Sequence, residues 1–269
     1  MTATPVVFIH GLWLHASTWQ PWVDLFAKEG YAPVAPGWPG EPPTVEAARK
    51  APEAVAGLGI DDVADHYARI IDDLPAAPVL IGHSFGGLFV QKLLGRGYGR
   101  AAIAIDPAQM KGVRVLPPAQ LRSSFPALGN PANRRRSVAL TEKQFRYGFG
   151  NALSEAESAA LYQAHAIPSP GRPLFEAAFA NFSSRSPAAV DTGNAQRGPL
   201  LIMSGQLDHT VPDVVSRSAF KQYSRSSAVT EFKQFPGRGH SLVFDSGWEG
   251  VADEALAWLA RQGITPGGD

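Results

Sequence analysis

The sequence predicts an α/β fold in which helices cover both faces of a mostly parallel sheet. Short apolar runs alternate with amphipathic segments over residues 6–105, and the same alternation returns over residues 200–262. Strands that alternate with helices run parallel, because each helix carries the chain back across the sheet. Hydrophobic residues make up 45% of the 269 residues and charged residues 18%, so the chain can bury a sizeable core.

The first part of the chain supplies four strands and three helices. The predicted strands are residues 6–10, 31–35, 78–82 and 101–105, and the predicted helices are residues 18–29, 61–74 and 85–94. Ser17 precedes the first of these helices as an N-cap, and Gly30 ends it.

Residues 109–198 interrupt this alternation, because they contain no convincing buried strand. They contain helix starts instead, since Thr141 and Ser154 each begin a capping-box pattern. A further helix is predicted around residues 172–182. The alternation then resumes, with strands at residues 200–204 and 229–235 and helices at residues 214–223 and 248–262.

This organisation predicts one core and one insertion. Residues 1–108 and 199–269 are expected to form the α/β core, and residues 109–198 a helical cap inserted after the fourth strand. An insertion at that point lies on the carboxyl edge of the sheet, where ligands bind in open α/β sheets. We therefore expect the cap to act as a lid.

The charge balance gives no reason to expect a nucleic acid or a membrane as partner. The 24 basic and 24 acidic residues cancel, and the basic run Arg134–Arg136 is interpreted as a solvated helix end. No stretch reaches the roughly 18 apolar residues that a membrane span needs. Met1–Pro5 lacks the basic region of a secretion signal, so a cytoplasmic location is the expectation. The lack of cysteine excludes disulfides and thiol chemistry.

The run Gly82-His83-Ser84-Phe85-Gly86 joins the third predicted strand to the helix that follows. Small residues on either side of the serine let the strand and helix backbones approach closely. The turn lifts the serine hydroxyl off the sheet, above a helix N-terminus that favours developing negative charge. Two interpretations of Ser84 are open, an ordinary helix N-cap or a nucleophile, and distant residues decide between them.

A nucleophilic serine needs a base, and the base needs an acid that orients it. Asp208 and His240 each follow a predicted strand, so both fall on the same sheet edge as Ser84. Their order along the chain, serine then acid then histidine, is the order that accompanies this kind of turn. We therefore predict that Ser84, Asp208 and His240 are the catalytic residues.

Rival assignments stay open from the residues alone. Asp106 also follows a strand and offers a carboxylate in place of that of Asp208. His209 competes with His240, but an acid and a base adjacent in one tight loop rarely face each other, so we interpret His209 as a residue that fixes the loop. His83 is expected to point away from the site and to pack below it.

A glycine after the first strand, in His10-Gly11-Leu12-Trp13, lets the chain turn sharply above the sheet. The backbone N–H groups of Leu12 and Phe85 are then expected to converge on one oxygen as an oxyanion hole. One such donor contributes about 3–4 kcal/mol to catalysis. Because His10 and His15 flank a loop without metal-ligand spacing, we expect neither a metal nor an organic cofactor.

These residues give the chain a family resemblance over nearly its whole length. Gly82–Gly86, Asp208 and His240 resemble the nucleophile elbow, acid and base of α/β-hydrolase fold proteins. His10–Trp13, followed by two further tryptophans, is similar to the start of small plant-type esterases and of their hydroxynitrile lyase relatives. The resemblance implies an α/β-hydrolase fold in a compact version, without the first two strands usual in the family.

The resemblance also implies a serine hydrolase that cleaves carboxylic esters through an acyl-enzyme. Ser84 argues against haloalkane dehalogenases and epoxide hydrolases, which use an aspartate nucleophile. Ser241, next to His240, argues against hydroxynitrile lyases, which carry a lysine there. Hydrolysis of C–C or amide bonds, haloperoxidase or perhydrolase activity, and a non-catalytic ligand-binding role stay open as alternatives. A P-loop nucleotide site is disfavoured, because the elbow lacks its lysine and its longer glycine loop.

Aromatic residues are frequent in the predicted cap, which points to an apolar pocket. They are Phe145, Tyr147, Phe149, Tyr162, Phe175, Phe179 and Phe182. Each of them also has reason simply to pack the cap onto the core. We single out Trp13, Phe145, Phe149 and Phe179 as candidate pocket residues, and expect a small to medium apolar or aromatic ester, or a lactone, as the small-molecule substrate.

Overall fold

Eight β-strands and ten α-helices lie within residues 3–267, which are the residues that this computed structural model describes. The strands are β1 (Pro5–Ile9), β2 (Ala32–Val34), β3 (Val79–His83), β4 (Ala101–Ile105), β5 (Ser137–Val138), β6 (Ser169–Pro170), β7 (Leu200–Gly205) and β8 (Thr230–Phe235). The α-helices are α1 (Gln20–Lys28), α2 (Val45–Lys50), α3 (Ile60–Asp72), α4 (Phe85–Gly95), α5 (Pro118–Leu128), α6 (Glu142–Gly148), α7 (Glu155–His165), α8 (Arg172–Ala178), α9 (Asp213–Gln222) and α10 (Trp248–Arg261). Met1, Thr2, Gly268 and Asp269, which belong to the expected core domain, lie outside the described residues.

The central sheet has six strands within the described part of the chain, in the order β2-β1-β3-β4-β7-β8. Every neighbouring pair in it runs parallel, so the predicted sheet is confirmed and is parallel throughout. All residues of β1, β3, β4 and β7 are buried, as expected of parallel strands covered on both faces. The two-residue strands β5 and β6 form a separate antiparallel pair.

An aromatic cluster packs α1 against β1. The ring of Phe8, in β1, lies 5.0 Å from that of Trp19, 6.0 Å from that of Trp22 and 5.3 Å from that of Phe26. Trp22 in turn lies 6.2 Å from Trp248 at the start of α10. Aromatic side chains bury large apolar areas, so this cluster ties α1 and α10 to the sheet.

A second set of helices covers the strands that carry the site. Helix α4 packs against β1, β3 and β4, and α3 packs against α4. Helix α9 lies against β7 and β8, and it is joined to α4 where Tyr223 donates its hydroxyl to the Gln91 side chain at 3.0 Å. The helices therefore flank the sheet as the alternation of strands and helices predicted.

The first predicted helix differs from its prediction. A 3-10 helix covers Ala16–Trp19, and α1 begins only at Gln20, because Pro21 in its first turn suits a new helix start. The His15 side chain accepts from the N–H of Ser17, so His15 is the N-cap and Ser17 is not. The predicted helix at residues 172–182 also divides, into α8 and a 3-10 helix at Ala180–Phe182.

Residues 106–198 leave the sheet after β4 and return at β7, and several hydrogen bonds bind this segment to the rest of the chain. The Arg49 side chain donates to the carbonyls of Tyr162, Gln163 and Ala166 at 2.8–3.0 Å. The N–H of Trp13 donates to the Ser169 hydroxyl at 2.6 Å. Division of the chain into a core and a moving lid stays a prediction.

No helix in the described part of the chain is long and apolar enough to cross a membrane.

We predict that Gly86→Ala lowers the free energy of unfolding by about 3 kcal/mol or more, because it overpacks a rigid contact. A Cβ at Gly86 would lie 1.9 Å from the carbonyl oxygen of Ile9, and neither backbone can move without displacing a buried strand. Urea unfolding followed by circular dichroism measures the change.

The matched control is Gly250→Ala in α10, where an added Cβ meets nothing within 4 Å. Alanine there is expected to raise the unfolding free energy by up to about 1 kcal/mol through helix propensity. Equal effects of the two substitutions would contradict the close approach of β1 and α4.

Candidate active site

The site lies where the strand order reverses. The chain passes from β1 to β2 on one side of the sheet and then to β3 on the other side of β1. Loops that leave two adjacent parallel strands in opposite directions open a crevice at their carboxyl ends, where α/β proteins bind ligands. Gly11 follows β1 and Ser84 follows β3, so both lie at this crevice.

Ser84 occupies a strained turn. Its backbone has φ +57° and ψ −118°, in a region that residues other than glycine rarely adopt. Its N–H donates to the carbonyl of Ile105 and its carbonyl accepts from the N–H of Ala108, both at 2.9 Å, so β4 and the following loop hold it. Its side chain makes no capping hydrogen bond to α4, which removes the support for an N-cap interpretation. Strain of this kind is concentrated at functional sites.

The loop after β1 passes directly against the serine. A Cβ added to Gly11 would lie 2.6 Å from Cβ of Ser84 and 3.1 Å from its Oγ. Beside this contact are the two backbone N–H groups predicted as oxyanion donors, those of Leu12 and Phe85. Neither donates to an acceptor among the described residues, and both residues line the same cavity as Ser84.

An acid and a histidine meet at the far side of the crevice. Nδ1 of His240 donates to Oδ2 of Asp208 at 2.6 Å, and both side chains are buried. The other oxygen of Asp208 accepts from the N–H groups of Thr210 and Val211 at 2.6 and 2.8 Å, which fixes the carboxylate. The rival acid Asp106 lies 4.0 Å from the same Nδ1, so Asp208 is the hydrogen-bonded partner of His240.

The other two candidate histidines have supporting contacts. His209 faces Tyr147, with Nδ1 3.1 Å from its carbonyl and the rings 4.7 Å apart, so it fixes the loop after β7. His83 donates from Nε2 to the carbonyl of His240 at 2.8 Å. Burial, followed by the charge of His240, holds the pKa of the His83 imidazole well below its ordinary value. A neutral His83 therefore anchors the backbone of His240 from below.

The predicted base has one free nitrogen. Nε2 of His240 is buried and has no hydrogen-bond partner among the described residues, Ser84 included. The ring lies 4.9 Å from Phe149 and 4.6 Å from His83, which fill the space around it. His83, Asp106 and His240 also offer potential metal-ligand atoms within 4.8 Å of one another. Because Nε2 of His83 already donates to the backbone carbonyl of His240 and Nδ1 of His240 to Asp208, we assign the group to the hydrogen-bond network of the site.

A cavity of about 610 Å³ opens above Ser84. Apolar side chains contribute most of its wall, among them Trp13 and, near its mouth, the exposed Leu116, Leu121 and Phe182. Many of the lining residues come from residues 109–182, so the insertion forms much of the wall.

Three of the four predicted pocket residues do not line this cavity. Phe145 and Phe149 stack on each other with ring centroids 4.8 Å apart and are fully buried, because they pack the insertion onto the core. Phe179 is 59% exposed and is not part of the cavity wall. Trp13 does line it, and its indole N–H is held by the carbonyl of Val138 at 3.0 Å.

Sequence reasoning missed Glu41, which is buried beside the crevice. Its carboxylate lies 3.0 Å from Nε2 of His10 and 3.6 Å from Nε2 of His15, and it accepts from the N–H of Ala16 at 3.0 Å. Burial opposes its ionisation, but the charge of His10 and these hydrogen bonds together hold the pKa of Glu41 below its ordinary value of 4.5. The signal in the sequence was an acid directly after the turn at Pro39-Gly40, and nothing in that pattern indicated His10 as its partner.

Comparisons with known proteins identify the family of the chain. A family model described as "Alpha/beta hydrolase family" matches residues 6–254. No curated protein matches the sequence of the chain.

Solved structures share its fold at low sequence identity. The monoacylglycerol lipase of Paleococcus ferrophilus is 20% identical, with a TM-score of 0.67, and the match covers 97% of each chain. A methylesterase from Arabidopsis is 15% identical, with a TM-score of 0.68, over 96% of this chain and 99% of that one. A thermophilic esterase from Thermogutta terrifontis is 19% identical, with a TM-score of 0.68, over 97% of this chain and 91% of that one. Likeness at this identity establishes the fold alone.

We predict that Glu41→Gln lowers the free energy of unfolding at pH 7 by about 2 kcal/mol, because it removes charge-assisted hydrogen bonds from a buried site. The pKa of Glu41 is lower in the folded protein than in the unfolded chain, so its contribution is complete above about pH 4.5 and is lost as the pH falls through the folded value. Urea titrations at pH 7 and pH 4 measure the difference.

Glu46→Gln is the matched control, since the Glu46 carboxylate is 78% exposed and pairs with Lys50 one turn along α2. We expect it to change stability by less than about 0.5 kcal/mol at either pH. The ion-pair explanation would be refuted if Glu41→Gln lowered the free energy of unfolding as much at pH 4 as at pH 7.

Proposed function

This chain belongs to the alpha/beta hydrolase family, and from that premise we propose that it is a serine hydrolase that cleaves carboxylic esters through an acyl-enzyme. The observation that carries the proposal is the strained Ser84 turn on the floor of a largely apolar cavity, on the same sheet edge as the Asp208–His240 pair. Nucleophile, base and acid follow one another along the chain in the order that this kind of turn requires.

In the proposed reaction, Oγ of Ser84 attacks the ester carbonyl and Nε2 of His240 accepts the hydroxyl proton. The contact of Nδ1 with Asp208 supports this role, because it leaves Nε2 as the free, basic nitrogen. His240 then gives the proton to the leaving alcohol, and water attacks the acyl-enzyme by the same route. Catalytic hydrogen bonds commonly tighten only when substrate is bound, so a Ser84–His240 contact need not precede binding.

The negative oxygen that forms in this attack requires donors. The backbone N–H groups of Leu12 and Phe85 have no acceptor within residues 3–267, and both residues line the cavity with Ser84. Phe85 is also the first residue of α4. A helix N-terminus adds a favourable dipole to that position. We propose these two groups as the oxyanion hole. The residues of the site supply nucleophile, base, acid and donors, so the proposed reaction requires no cofactor.

The cavity wall suggests the substrate. Its apolar lining supports a small to medium apolar or aromatic ester, or a lactone. Of the residues that line it in the described part of the chain, only Lys111 and Arg114 are charged, and both are positive. Lys111 donates to the carbonyl of Ser184 at 3.0 Å, whereas Arg114 is exposed and forms no ion pair with a described residue. We propose that the cavity prefers esters with an anionic distal group over those with a cationic one.

We predict that Ser84→Ala lowers kcat for p-nitrophenyl butyrate at least about 1,000-fold, because the nucleophile is lost. It should also abolish labelling by a fluorophosphonate probe, which reacts with activated serines. Release of p-nitrophenol and in-gel fluorescence measure the two effects.

Ser218→Ala, in α9 and away from the cavity, is the control and is expected to keep both activities. Full activity of Ser84→Ala would disprove the mechanism. If the unsubstituted protein neither hydrolyses esters nor takes the label, the result would support the non-catalytic ligand-binding alternative. A preference for amide, C–C or peroxide substrates would support the other chemistries of the fold.

We predict that kcat/KM falls in the order monomethyl adipate, methyl hexanoate, methyl 6-aminohexanoate. These esters share a six-carbon acyl chain and differ in the charge at its end. Arg114→Gln should lower the ratio of the first value to the second about five-fold, which corresponds to about 1 kcal/mol, as expected for an exposed charge.

Arg134→Gln makes the same substitution within the insertion but outside the cavity, and should leave that ratio unchanged. High salt should reduce the preference, because the charges are solvent-exposed. A rate that does not depend on the distal charge would show that Arg114 lies out of reach of the substrate.

A further inference from the structure

Two buried carboxyl groups face one imidazole in this site, and the mechanism above uses only that of Asp208. The second belongs to Asp106, which follows β4 and is 0% exposed. Its Oδ1 accepts from the N–H of Gly205 at 2.7 Å. Its Oδ2 has no hydrogen-bond partner among the described residues and lies 4.0 Å from Nδ1 of His240. A buried oxygen left without a partner is costly, so its surroundings require an explanation.

Both carboxyl groups lie close to Nδ1 of His240, Oδ2 of Asp208 at 2.6 Å and Oδ2 of Asp106 at 4.0 Å, so they are also close to each other. Two ionised carboxylates side by side in a buried site repel, and one of them keeps a proton. Asp208 accepts hydrogen bonds from Thr210, Val211 and His240, whereas Asp106 accepts from Gly205 as its one donor in the described part of the chain. The group with more donors keeps the negative charge, so Asp106 is the group that keeps the proton.

The surroundings of Asp106 agree with a neutral acid. Burial, and then the negative charge of Asp208, hold the pKa of Asp106 well above its ordinary value. Asp213 acts in the same direction at longer range, and the N–H of Gly205 acts against both. His83 and His240 are the other titratable groups that face it, and His83 is kept neutral by burial.

The backbone holds Asp106 in an uncommon conformation. Its φ of +43° lies in the left-handed region, which is unfavourable for a residue with a side chain. Its N–H donates to the carbonyl of Met203 at 2.9 Å, and two residues later Ala108 donates to the carbonyl of Ser84. The loop that carries Asp106 thus joins β7 to the serine turn, and this strained backbone holds Oδ2 of Asp106 4.0 Å from Nδ1 of His240.

We propose that Asp106 is a positioning residue that, as a neutral carboxylic acid, donates a hydrogen bond to the carboxylate of Asp208. This inference rests on the proposed ester hydrolysis. It adds one residue to the hydrogen-bonded series that orients the base, because Asp106 fixes Asp208 and Asp208 fixes His240. The shared proton gives Oδ2 of Asp106 its missing partner. It also keeps the charge next to His240 at one negative unit instead of two.

Asparagine is the decisive substitution, since its amide oxygen can accept from Gly205 and its NH₂ can donate to Asp208. We expect Asp106→Asn to keep kcat for p-nitrophenyl butyrate within about three-fold at pH 7.5. In the unsubstituted enzyme kcat should fall at alkaline pH as Asp106 ionises, and Asp106→Asn should lack this fall because an amide cannot ionise. Asp106→Leu, which removes the donor, should lower kcat about thirty-fold or more with little change in KM.

Infrared spectroscopy tests the protonation without requiring activity. At pH 7 the unsubstituted protein should show a carboxylic acid C=O band that shifts in D₂O, and Asp106→Asn should lack it. Absence of the band, or a loss of kcat in Asp106→Asn as large as that in Asp106→Leu, would overturn the proposal, since Asp106 would then act as an anion. Wild-type kcat in a folded Asp106→Leu protein would overturn it too. An inactive unsubstituted protein that shows the band would instead refute the ester hydrolysis.

Discussion

The first turn of α4 lies so close to the backbones at the carboxyl ends of β1 and β3 that only glycine fits at the contacts, and the rest of the site depends on this packing. A Cβ at Gly86 would lie 1.9 Å from the carbonyl oxygen of Ile9, and one at Gly82 would lie 2.2 Å from that of Gly86. The chain can leave β3 for α4 only through the strained turn at Ser84. Glycine at both positions therefore sets where the hydroxyl lies and brings the Gly11 loop against it.

The parallel sheet then decides which side chains can reach that hydroxyl. Because all six strands run the same way, Ser84, Asp106, Asp208 and His240 leave four different strands at one edge, although they are far apart in the sequence. The insertion leaves the sheet at this same edge, after β4, and forms much of the cavity wall before the chain returns to the opposite edge, where β7 begins. One topological property thus joins the polar floor of the site to its apolar wall.

Much of this could be predicted from the sequence, because strand ends and glycine turns are local features. The bounds of β4 and the residues at the sheet edge followed from apolar runs of the right length. Which of Asp106 and Asp208 is the acid that orients His240 could not be settled in this way. The choice depends on distances from Nδ1 of His240, which are 2.6 Å to Asp208 and 4.0 Å to Asp106. The positions of the Phe145 and Phe149 rings could not be predicted for a similar reason. Aromatic content does not show which rings stack inside the insertion and which line its cavity.

The buried polar groups of the site form two acid–histidine systems, one on each side of the crevice. Glu41 pairs with His10 at the end of β1, and Asp208 pairs with His240 after β8. In surroundings with little water, charges interact strongly, and each carboxylate must be matched by donors to stay ionised. Glu41 has one backbone donor and a histidine, and Asp208 has two backbone donors and a histidine. Asp106 has a single donor among the residues that the structure describes. The count of donors thus separates two acids that carry charge from a third that carries a proton, and it explains how three carboxyl groups can share one buried site.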